Sequence, residues 1–507
     1  MAIKRIYIEN FRSIKRLDFK PSMLTALIGK NNSGKSNILR AIDLMLGERW
    51  PPYAISEDDI YNHDENLTVK IELYFDEPII HTYYGRDIEI NGFRLEFDAN
   101  HGGNLACINE DGNEVMTQYN KPLSLSNKIR NKVPVILVGV DRNLSKILSA
   151  SQWTVLGKLL RDIAEEFKSN EDKVEEFNRK MEEATEVLKI DTFRELERVI
   201  VENVKLLTGF YDVSIKFREP HVLAHYKNLQ LVVRESSNYD EFSALDMGAG
   251  IQSAIVIALL NAYKVLKCSG AILLIEEPEV YLHPHARRYF YSLLKDLAEQ
   301  GNQIFYTTHS PEFVDLSNYE YISIVRRSPT EGTKVKQAQL TLIPGSKEEL
   351  KLLTQFDASR NEVFFANKVM VVEGPTERYS LPHIFKLKGI DINREGISII
   401  DSGGKENMEF FIKILREFEI PFIVLHDEDK NASNYQSYHA GPNGLNAKIE
   451  SAVGNPSLIF KADPDFEGIL GLSGKDKVRQ ALIKARNLKP EEIPEVINDA
   501  IEKIIQL

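Results

Sequence analysis

The chain has 507 residues, a net charge of −12 at pH 7 and only two cysteines. The length suggests roughly three domains, and two cysteines exclude a disulfide framework or a multi-cysteine zinc site. No window offers the ~18 uninterrupted apolar residues of a membrane span, and the strand-like first residues predict no signal peptide, so we expect a cytoplasmic protein. The negative charge argues against a simple basic DNA-coating protein, although a local basic groove could still bind DNA.

The first 140 residues are predicted to be mostly β-structure. Residues 1–20 alternate between apolar and polar side chains, which predicts two strands. Residues 67–75 predict another strand, and residues 86–119 predict a hairpin region with turns that contain glycine. A buried strand is predicted at residues 133–138. A sheet-rich first part of about 150 residues follows from this pattern.

A glycine-rich loop at residues 29–36, Gly-Lys-Asn-Asn-Ser-Gly-Lys-Ser, separates a short apolar run from a run with helical periodicity. This strand–loop–helix context is what a P-loop requires. The glycines let backbone N–H groups wrap a phosphate chain, and the helix N-terminus adds partial positive charge. Lys35 is placed for the β- and γ-phosphates of ATP, and Ser36 is placed for Mg²⁺. The residues that we expect at the nucleotide are Gly29, Asn31, Asn32, Ser33, Gly34, Lys35, Ser36 and Asn37.

Residues 151–205 differ from the rest of the chain. They are rich in Glu, Lys and Arg, contain almost no glycine, and repeat apolar residues every three or four positions. This pattern predicts a helical insertion whose surface is mostly solvated. An apolar stripe that includes Phe167, Phe177, Val187 and Leu188 predicts that one face packs on a partner helix, and self-association through the insertion is one interpretation.

Three later stretches can complete an ATP site around the P-loop. Glu276 and Glu277 follow four apolar residues as in a Walker B strand, and we assign Glu276 to the metal ion and Glu277 to the attacking water. His309 follows the next apolar strand, where an imidazole can sense the γ-phosphate. Residues 247–253 open a helix with glycines and can present backbone amides to a phosphate. Because the P-loop already holds one nucleotide, residues 247–253 are expected to contact the ATP of another subunit.

A new unit of alternating strands and helices begins near residue 367, which predicts a parallel sheet with helices on its faces. Glu373 ends one strand with Glu377 one helical turn further on, and Asp427 and Asp429 end another. One such acid alone is more simply a helix cap or a surface charge. Two clusters at the same sheet edge repel each other unless a divalent ion lies between them. Oxygen ligands favour Mg²⁺ or Mn²⁺, and two ions about 4 Å apart could activate a water against a phosphodiester.

The ATP motifs together resemble a known group of ATPases. Asn10-Phe-Arg-Ser-Ile14, the degenerate signature at 247–253, Glu276-Glu-Pro-Glu279 and Thr308-His-Ser-Pro311 look like the motifs of ABC-type ATPases of the SMC/RecF group. The resemblance implies an ATPase head that sandwiches ATP between two copies. It also implies that Gly250 or Ser253 contacts the partner's nucleotide. The insertion is too short for a long SMC coiled coil.

The C-terminal stretch resembles a Toprim domain, through the Glu373-Gly374 step, the Ser402-Gly-Gly404 turn and the Asp427-x-Asp429 pair. Within the resemblance, Asp465 or Glu467 could complete a second metal site. Lys475 or Lys477 could neutralise a developing phosphate charge, and we favour Lys477 because it begins a predicted helix, although a surface lysine is an equally good interpretation.

An SMC/RecF-type ATPase followed by a Toprim domain is the arrangement of the OLD (overcoming lysogenisation defect) family of nucleases, and the Glu-Gly-x-x-Glu spacing at 373–377 is typical of that family. Relatives include the nuclease subunit of the Gabija anti-phage system and retron-linked effectors. The resemblance implies an ATP-binding DNA endonuclease that depends on Mg²⁺ or Mn²⁺ and forms a homodimer or higher homo-oligomer. It further implies anti-phage defence or DNA repair, and a helicase or another defence-system subunit could be its partner.

We therefore expect an α/β protein with an ABC-type ATPase head, built on a mixed sheet with a P-loop and a helical insertion, followed by a Rossmann-like Toprim domain. The predicted boundaries are 1–150 and 206–345 for the two halves of the ATPase, 151–205 for the insertion, 346–366 for a linker and 367–507 for the nuclease domain.

The main alternative is an ATP-switched, non-catalytic DNA-binding or interaction protein of the SMC/RecF group with structural carboxylates. A topoisomerase would need a tyrosine nucleophile on a further domain, and a primase usually needs a zinc module that two cysteines cannot supply. An ABC transporter subunit would share the ATP motifs but not the Toprim-like half. Metal-dependent cutting of DNA distinguishes the nuclease from the binding protein.

Overall fold

The structure is a computed structural model. It describes residues 1–141, 147–148, 151, 153–208, 222–226, 229, 231–234, 241–266, 270–314, 320–338, 360–431, 433, 435, 439, 441–472 and 475–507. Residues 1–338 are called the N-terminal part below, and residues 360–507 are called the C-terminal part. None of the helices in these described ranges has the length and apolar content needed to cross a membrane.

The first sheet of the N-terminal part is antiparallel, with the strand order β2-β1-β4-β5-β6. Its strands are β1 (Ile3–Phe11), β2 (Ile14–Phe19), β4 (Val69–Tyr83), β5 (Arg86–Asp98) and β6 (Gly102–Ile108). Alternate side chains on β1, such as Ile6 and Ile8, are fully buried, which is the pattern of a sheet with one face on the core. Strand β4 runs beyond the predicted residues 67–75, with a register shift between Tyr74 and Ile79.

The second sheet has the order β13-β12-β3-β11-β10-β7 and is parallel except for β13, which runs antiparallel to β12. Its strands are β3 (Leu24–Ile28), β7 (Val135–Val138), β10 (Ile272–Glu276), β11 (Gln303–Thr308), β12 (Ile322–Ser328) and β13 (Gly332–Gln337). All residues of β3 and β11 are buried, as expected for central strands of a parallel sheet that is covered on both faces. The P-loop, Glu276 and His309 therefore follow neighbouring strands at the same edge.

Helices complete the N-terminal part. They are α1 (Lys35–Leu46), α2 (Pro51–Ala54), α3 (Asn127–Arg130), α4 (Val155–Lys168), α5 (Glu171–Leu188), α6 (Asp191–Thr208), α7 (Val222–Tyr226), α8 (Ala249–Val265) and α9 (Pro284–Glu299). A small ribbon pairs β8 (Val232–Val233) with β9 (Phe242–Ser243). The strand pattern at 229–234 thus gives only a two-residue strand, and the pattern at 211–217 lies outside the described residues.

The insertion consists of α4, α5 and α6. Helix α4 buries one face against the core through residues such as Val155 and Leu159, whereas α5 buries no residue at all. The rings of Phe167 and Phe177 pack edge to face with their centroids 5.8 Å apart, so part of the apolar stripe holds α4 and α5 together. The end of the stripe is open to solvent, since Leu188 is 61% exposed.

The C-terminal part is a four-stranded parallel sheet with the order β15-β14-β16-β17. Its strands are β14 (Lys368–Val372), β15 (Ile397–Asp401), β16 (Phe422–Asp427) and β17 (Ile459–Ala462), and its helices are α10 (Pro375–Leu387), α11 (Ile392–Glu395), α12 (Lys405–Glu417), α13 (Leu445–Val453), α14 (Phe466–Ile469), α15 (Lys477–Asn487) and α16 (Glu495–Gln506). The predicted strands at 368–372 and 397–401 are observed. Because β14 and β16 are adjacent and parallel, Glu373 and Asp427 lie at the same sheet edge.

Polar contacts join the two parts beside the β12–β13 hairpin. Arg326 of β12 donates to the carbonyl oxygen of Glu419 at 2.6 Å, and Lys336 of β13 pairs with the Glu419 carboxylate at 2.8 Å. On the other side, the amide of Asn361 donates to the carbonyl of Val314 at 2.8 Å. Buried side chains of both parts also belong to one continuous apolar core. The nucleotide loop and the acidic edge are consequently parts of one packed structure.

Candidate functional site

The P-loop owes its shape to two glycines. Gly29 has φ +152° and Gly34 has φ +105°. A Cβ at Gly29 would lie 2.2 Å from the carbonyl oxygen of Val325, and a Cβ at Gly34 would lie 2.2 Å from the hydroxyl oxygen of Thr333. Only glycine permits this approach. The loop is therefore held directly against the β12–β13 hairpin.

A chain of hydrogen bonds supports the loop from behind. The hydroxyl of Thr333 donates to the carbonyl of Ser33 at 2.9 Å and lies 2.8 Å from the hydroxyl of Ser13, which in turn accepts from the amide of Asn37 at 2.7 Å. Thr333 is fully buried. Sequence reasoning noted Ser13 only as part of the Asn10–Ile14 motif and did not select Thr333, because nothing in the local sequence places β13 beside the P-loop.

Lys35 is the buried cation of the nucleotide site. Its ammonium donates to the carbonyl oxygens of Gly29 and Lys30, each at 2.8 Å. Burial lowers the pKa of Lys35 to about 8, although Glu277 and Glu279 act in the opposite direction. The ammonium is thus only partly compensated, which suits it to anionic phosphate oxygens.

The acids after β10 surround this cation and Ser36. Burial raises the pKa of Glu276, although its carboxylate accepts a hydrogen bond from the Ser36 side chain. Glu277 has φ +43° and approaches Nε2 of His309 to 3.9 Å. The residues predicted for the metal ion, the water and the γ-phosphate therefore lie together with Lys35.

Asp141 is an addition to this group that sequence reasoning did not select. It follows β7, the parallel neighbour of β10, and its charge contributes to the raised pKa of Glu276. The available signal was an acid shortly after a buried strand, the same signal that identified Glu276. Asp141 and Glu276 together offer hard oxygen donors beside Ser36.

The two residues expected to contact a partner's nucleotide, Gly250 and Ser253, differ in their exposure. The N-terminus of α8 is exposed, and so is Gly250, where a Cβ would lie 3.8 Å from the carbonyl oxygen of Tyr281. Ser253, by contrast, is 2% exposed, and its hydroxyl faces the carbonyl of Val280 at 3.4 Å. One helical turn thus carries the Ser253 side chain from the exposed end into the core, and its contact with a partner's nucleotide stays a prediction. Among the other loop residues, Asn31 and Asn32 are exposed.

The second site is a cluster of buried carboxylates in the C-terminal part. Glu373 follows β14, Glu377 lies in the first turn of α10, and Asp427 ends β16. Burial raises the pKa of Glu373 to about 7 and that of Asp427 to about 8, and repulsion between neighbouring carboxylates adds to both shifts. The pKa of Glu377, which is 4% exposed, is also raised well above its usual value, first by burial and then by Asp427. The cluster thus resists holding all its negative charges at once.

Asp427 and Asp429 are held in place by neighbouring backbone. The N–H of Phe466 donates to the Asp427 carboxylate at 2.8 Å. The backbone of Asp429 is left-handed, with φ +61°, and its N–H donates to the carbonyl of Pro464 at 2.8 Å. These bonds aim both carboxylates at the cluster.

Lys405 is a buried cation within this acidic site, and sequence reasoning missed it. Its side chain is 3% exposed, and its ammonium bonds to the Asp429 carboxylate at 2.6 Å and to the carbonyl oxygen of Asp427. It also acts on the pKa of Glu373, where it opposes the effect of burial. Lys405 directly follows the Ser402-Gly-Gly404 turn at the same sheet edge, and that position was the available signal.

The structure separates the two candidates for a further ligand. Glu467 contributes to the raised pKa values of Glu373 and Asp427, so it belongs to the cluster. The carboxylate of Asp465 instead accepts from the N–H of Gly468 at 2.6 Å and caps α14. A capping carboxylate is already engaged, so Glu467 is the better placed of the two.

The lysine predicted at the phosphate lies at the rim. Lys477 is 47% exposed and its ammonium is 3.3 Å from the Glu467 carboxylate, whereas Lys475 is exposed two residues earlier. His426 lies beneath the site, where burial lowers its pKa to about 4 and Nδ1 donates to the Asp427 carbonyl at 2.8 Å. It is a neutral core side chain at pH 7.

The donor set suits a hard divalent cation. One carboxylate oxygen of Glu373 is buried without a hydrogen-bond partner among the described residues. Within that part of the chain, no three acidic or histidine side chains already stand in ligating positions. The carboxylate oxygens instead contact Lys405, Lys477 and backbone amides. These carboxylates would therefore have to move closer together to bind an ion.

Comparisons with known proteins agree with the two sites. Residues 24–315 match the family model of an AAA domain (putative AbiEii toxin, type IV toxin–antitoxin system), and residues 364–429 match the TOPRIM domain of overcoming lysogenization defect protein-like proteins. The OLD nuclease of Thermus scotoductus is 30% identical over 535 residues, which cover 100% of this chain and 99% of that protein. The Old nuclease of Escherichia phage P2 is 26% identical, covering 94% and 87%, and endonuclease GajA of Bacillus cereus is 22% identical, covering 85% and 75%.

These matches confirm the predicted fold class, an ATPase followed by a Toprim domain. The first matched region contains the P-loop, Glu276 and His309, and the second contains the acids from Glu373 to Asp429. Glu467 and Lys477 lie beyond the matched regions, so their assignment depends on the geometry above.

Asp427→Asn is expected to stabilise the metal-free protein at high pH. A carboxyl whose pKa is raised in the folded state favours folding least when ionised, so this destabilisation grows as the pH rises from about 4 to about 8. We expect a gain of at least about 1 kcal/mol in the free energy of unfolding at pH 8 in EDTA, and almost none at pH 4. Urea unfolding at the two pH values measures the difference.

The control is Asp499→Asn, which alters an exposed aspartate on α16. It should leave stability unchanged at both pH values. Mn²⁺ should stabilise the wild type and the control more than Asp427→Asn. An Asp427→Asn variant less stable than the wild type at pH 8 in EDTA would contradict the repulsion described here.

Proposed function

Because this chain belongs to the OLD nuclease family, we propose that it is a DNA endonuclease that cuts phosphodiesters at the acidic edge of its C-terminal part. The observation that carries the proposal is the cluster of buried carboxylates whose pKa values are raised by burial and by one another. Such a cluster costs stability unless cations balance it. Its position at the carboxyl ends of parallel strands is where ligand sites form in sheets of this kind.

The residues that would hold divalent metal ions are Glu373, Glu377, Asp427, Asp429 and Glu467. Their oxygen donors suit Mg²⁺ or Mn²⁺. Bound ions of this kind supply an activated water and stabilisation of the leaving oxygen. The backbone amide of Phe466 orients Asp427, and the buried ammonium of Lys405 orients Asp429.

The two lysines near the cluster would have separate roles. Lys477 is half-exposed at the rim, so it would contact the DNA phosphate and offset charge that develops on it. Lys405 is buried and engaged with Asp427 and Asp429, so it would act as a positioning residue without touching DNA.

ATP binding in the N-terminal part would control the cut. Lys35 would bind the β- and γ-phosphates, Ser36 and Glu276 would bind Mg²⁺, Glu277 would orient a water and His309 would sense the γ-phosphate. Gly250 at the exposed start of α8 would contact the nucleotide of a second copy. Hydrolysis and mere sensing of ATP are both compatible with this arrangement.

A homodimer or a higher homo-oligomer fits this nucleotide arrangement and the insertion. Apolar side chains at its end are open to solvent, including Val187 at 78% and Ile190 at 63% exposure. Several exposed apolar side chains close together in the sequence would suit contact with a second copy. We further propose a role in anti-phage defence or DNA repair, for which a helicase or another defence-system subunit would be the partner.

The direct test is cutting of a supercoiled plasmid by the full chain with Mg²⁺ or Mn²⁺, with and without ATP. The wild type and Asp499→Asn should nick or linearise the plasmid only when metal is present. Asp427→Asn should reduce the rate by at least about 100-fold, because it removes a central charged ligand. Glu277→Gln removes the residue assigned to the attacking water. Its rate of DNA cutting with ATP therefore shows whether ATP hydrolysis or ATP binding controls cutting.

Absence of cutting under every metal and nucleotide condition, with ATP binding intact, would favour the ATP-switched DNA-binding protein. Cutting that survives Asp427→Asn would mean that the active site lies elsewhere.

Lys405→Met should slow DNA cutting, because the acidic cluster loses the group that holds Asp429 in position. The substitution keeps much of the side-chain volume but removes the ammonium, so Asp429 loses its partner and the carboxylates repel more strongly. We expect a loss of roughly 3 kcal/mol in the free energy of unfolding in EDTA, with a smaller loss when Mn²⁺ is bound. Urea unfolding with and without metal measures both values.

The matched control is Lys413→Met on the same helix, where Lys413 is exposed and paired with Glu409. It should change neither stability nor cutting. In the double variant Lys405→Met/Asp429→Asn, the two stability losses should fall well short of additive. Additive losses, or equal losses with and without Mn²⁺, would refute a positioning role.

A further inference from the structure

A cavity of about 400 Å³ lies between the two parts of the chain. Its walls are residues 29–33 of the P-loop, residues 324–327 of β12, residues 364–368 at the start of β14, and Leu507. We call it the junction cavity. It is separate from the cleft on the other side of the P-loop, which is lined by residues such as Arg12 and Asn37, and the two spaces share only Asn32 and Arg327.

The junction cavity is strongly basic. Lys30, Arg326, Arg327 and Lys368 line it, and no aspartate or glutamate side chain does. In the described ranges, none of these four cations lies within 4.0 Å of a carboxylate in an ion pair. Arg326 and Lys368 donate instead to the neutral carbonyls of Glu419 and Ile505, both at 2.6 Å. The Glu419 carboxylate acts on the charge of Arg326, and Leu507, which carries the terminal carboxylate, also lines the cavity. The cations still outnumber the anions there, which favours the binding of an anion.

Two residues of the cavity wall each have a buried polar atom without a hydrogen-bond partner. Ser33 is 4% exposed, and its hydroxyl oxygen has no hydrogen-bond partner among the described residues. The side-chain oxygen of Asn367 is likewise buried and unpartnered there, while its nitrogen donates to the carbonyl of Glu395 at 3.0 Å. Both atoms are fully buried, so a ligand or its water would reach them only if the wall of the cavity moved.

The remaining wall is apolar. Ile324, Phe364, Phe365 and Ala366 line it, and Phe364 is 2% exposed. A cavity of this volume lies within the usual range for small-molecule sites. The combination of cations, hydrogen-bonding groups and an aromatic wall suits a molecule with a phosphate at one end and a flat, weakly polar ring at the other.

We propose that the junction cavity binds a free nucleoside phosphate, as a second nucleotide site that shares residues 29–33 of the P-loop but not Lys35 or Ser36. The phosphates contact Lys30, Arg326 and Lys368, and the base lies against the apolar wall. Such a ligand touches the back of the P-loop and the beginning of β14, whose other end carries Glu373. A ligand at this site would therefore contact elements that lead to both the nucleotide loop and the acidic edge.

The test counts bound nucleotide by equilibrium dialysis of the full chain with radiolabelled ADP and Mg²⁺. The wild type should bind two ADP per chain. Lys35→Ala should bind one, held in the junction cavity, and Arg326→Ala/Lys368→Ala should bind one, held at the P-loop. The control Lys334→Ala, which removes an exposed lysine of β13 outside the cavity, should still bind two. These counts do not depend on whether the chain cuts DNA.

Lys30→Gln provides a second variant if the double substitution unfolds, because Lys30 is exposed and its removal spares the fold. It should weaken ADP binding at the junction cavity, the site that remains in Lys35→Ala, at least about tenfold and leave the P-loop site unchanged. A single ADP per chain that Lys35→Ala abolishes would overturn the proposal. Displacement of the second ADP by a short DNA strand, but not by AMP or pyrophosphate, would also overturn it, because the cavity would then belong to DNA.

Discussion

Electrostatic repulsion among buried carboxylates is the constraint on which the C-terminal part depends. A parallel sheet brings Glu373 and Asp427 to one edge, and burial prevents water from screening them. Lys405 offsets part of this charge through Asp429, and Lys477 offsets part of it through Glu467. The divalent cations proposed for this edge would balance the remaining negative charge, which is consistent with acids at strand ends where a stable scaffold would carry neutral side chains.

The β12–β13 hairpin links this edge to the nucleotide loop. On one side, Val325 and Thr333 occupy the space that Gly29 and Gly34 leave free. On the other side, Arg326 and Lys336 bind Glu419 of the C-terminal part. A change of P-loop conformation on nucleotide binding would therefore reach the C-terminal part through short, packed contacts. This is a physical route for coupling, and the junction cavity lies along it.

Much of both sites was predictable because the chemistry sits at the ends of buried strands. The apolar runs before Gly29, Glu276 and Asp427 predicted strands, and the parallel arrangement then placed the acids on common edges. Lys405 escaped notice because a lysine at the start of a helix looks like a surface residue until the fold shows that it faces the acids. Thr333 was missed for a similar reason, since 300 residues separate it from Ser33.

Ser253 shows what a motif with a degenerate register leaves open. The glycines at 248 and 250 predicted the exposed start of a helix, but which side chain faces outward depends on how α8 packs, and packing turns Ser253 into the core. Boundaries of long strands such as β4 were likewise set by cross-strand partners and not by local pattern. Local sequence signals thus indicated which segments carry the site residues, and tertiary contacts determined which way their side chains face.

The most direct measurement of the central claim is anomalous X-ray diffraction from crystals of the full chain soaked in Mn²⁺. The account predicts an anomalous peak at the acidic edge, ligated by Glu373 and Asp427 with Glu377, Asp429 or Glu467 completing the set, and no such peak in Asp427→Asn. Fully occupied Mn²⁺ elsewhere in the crystal, with nothing at these carboxylates, would contradict it.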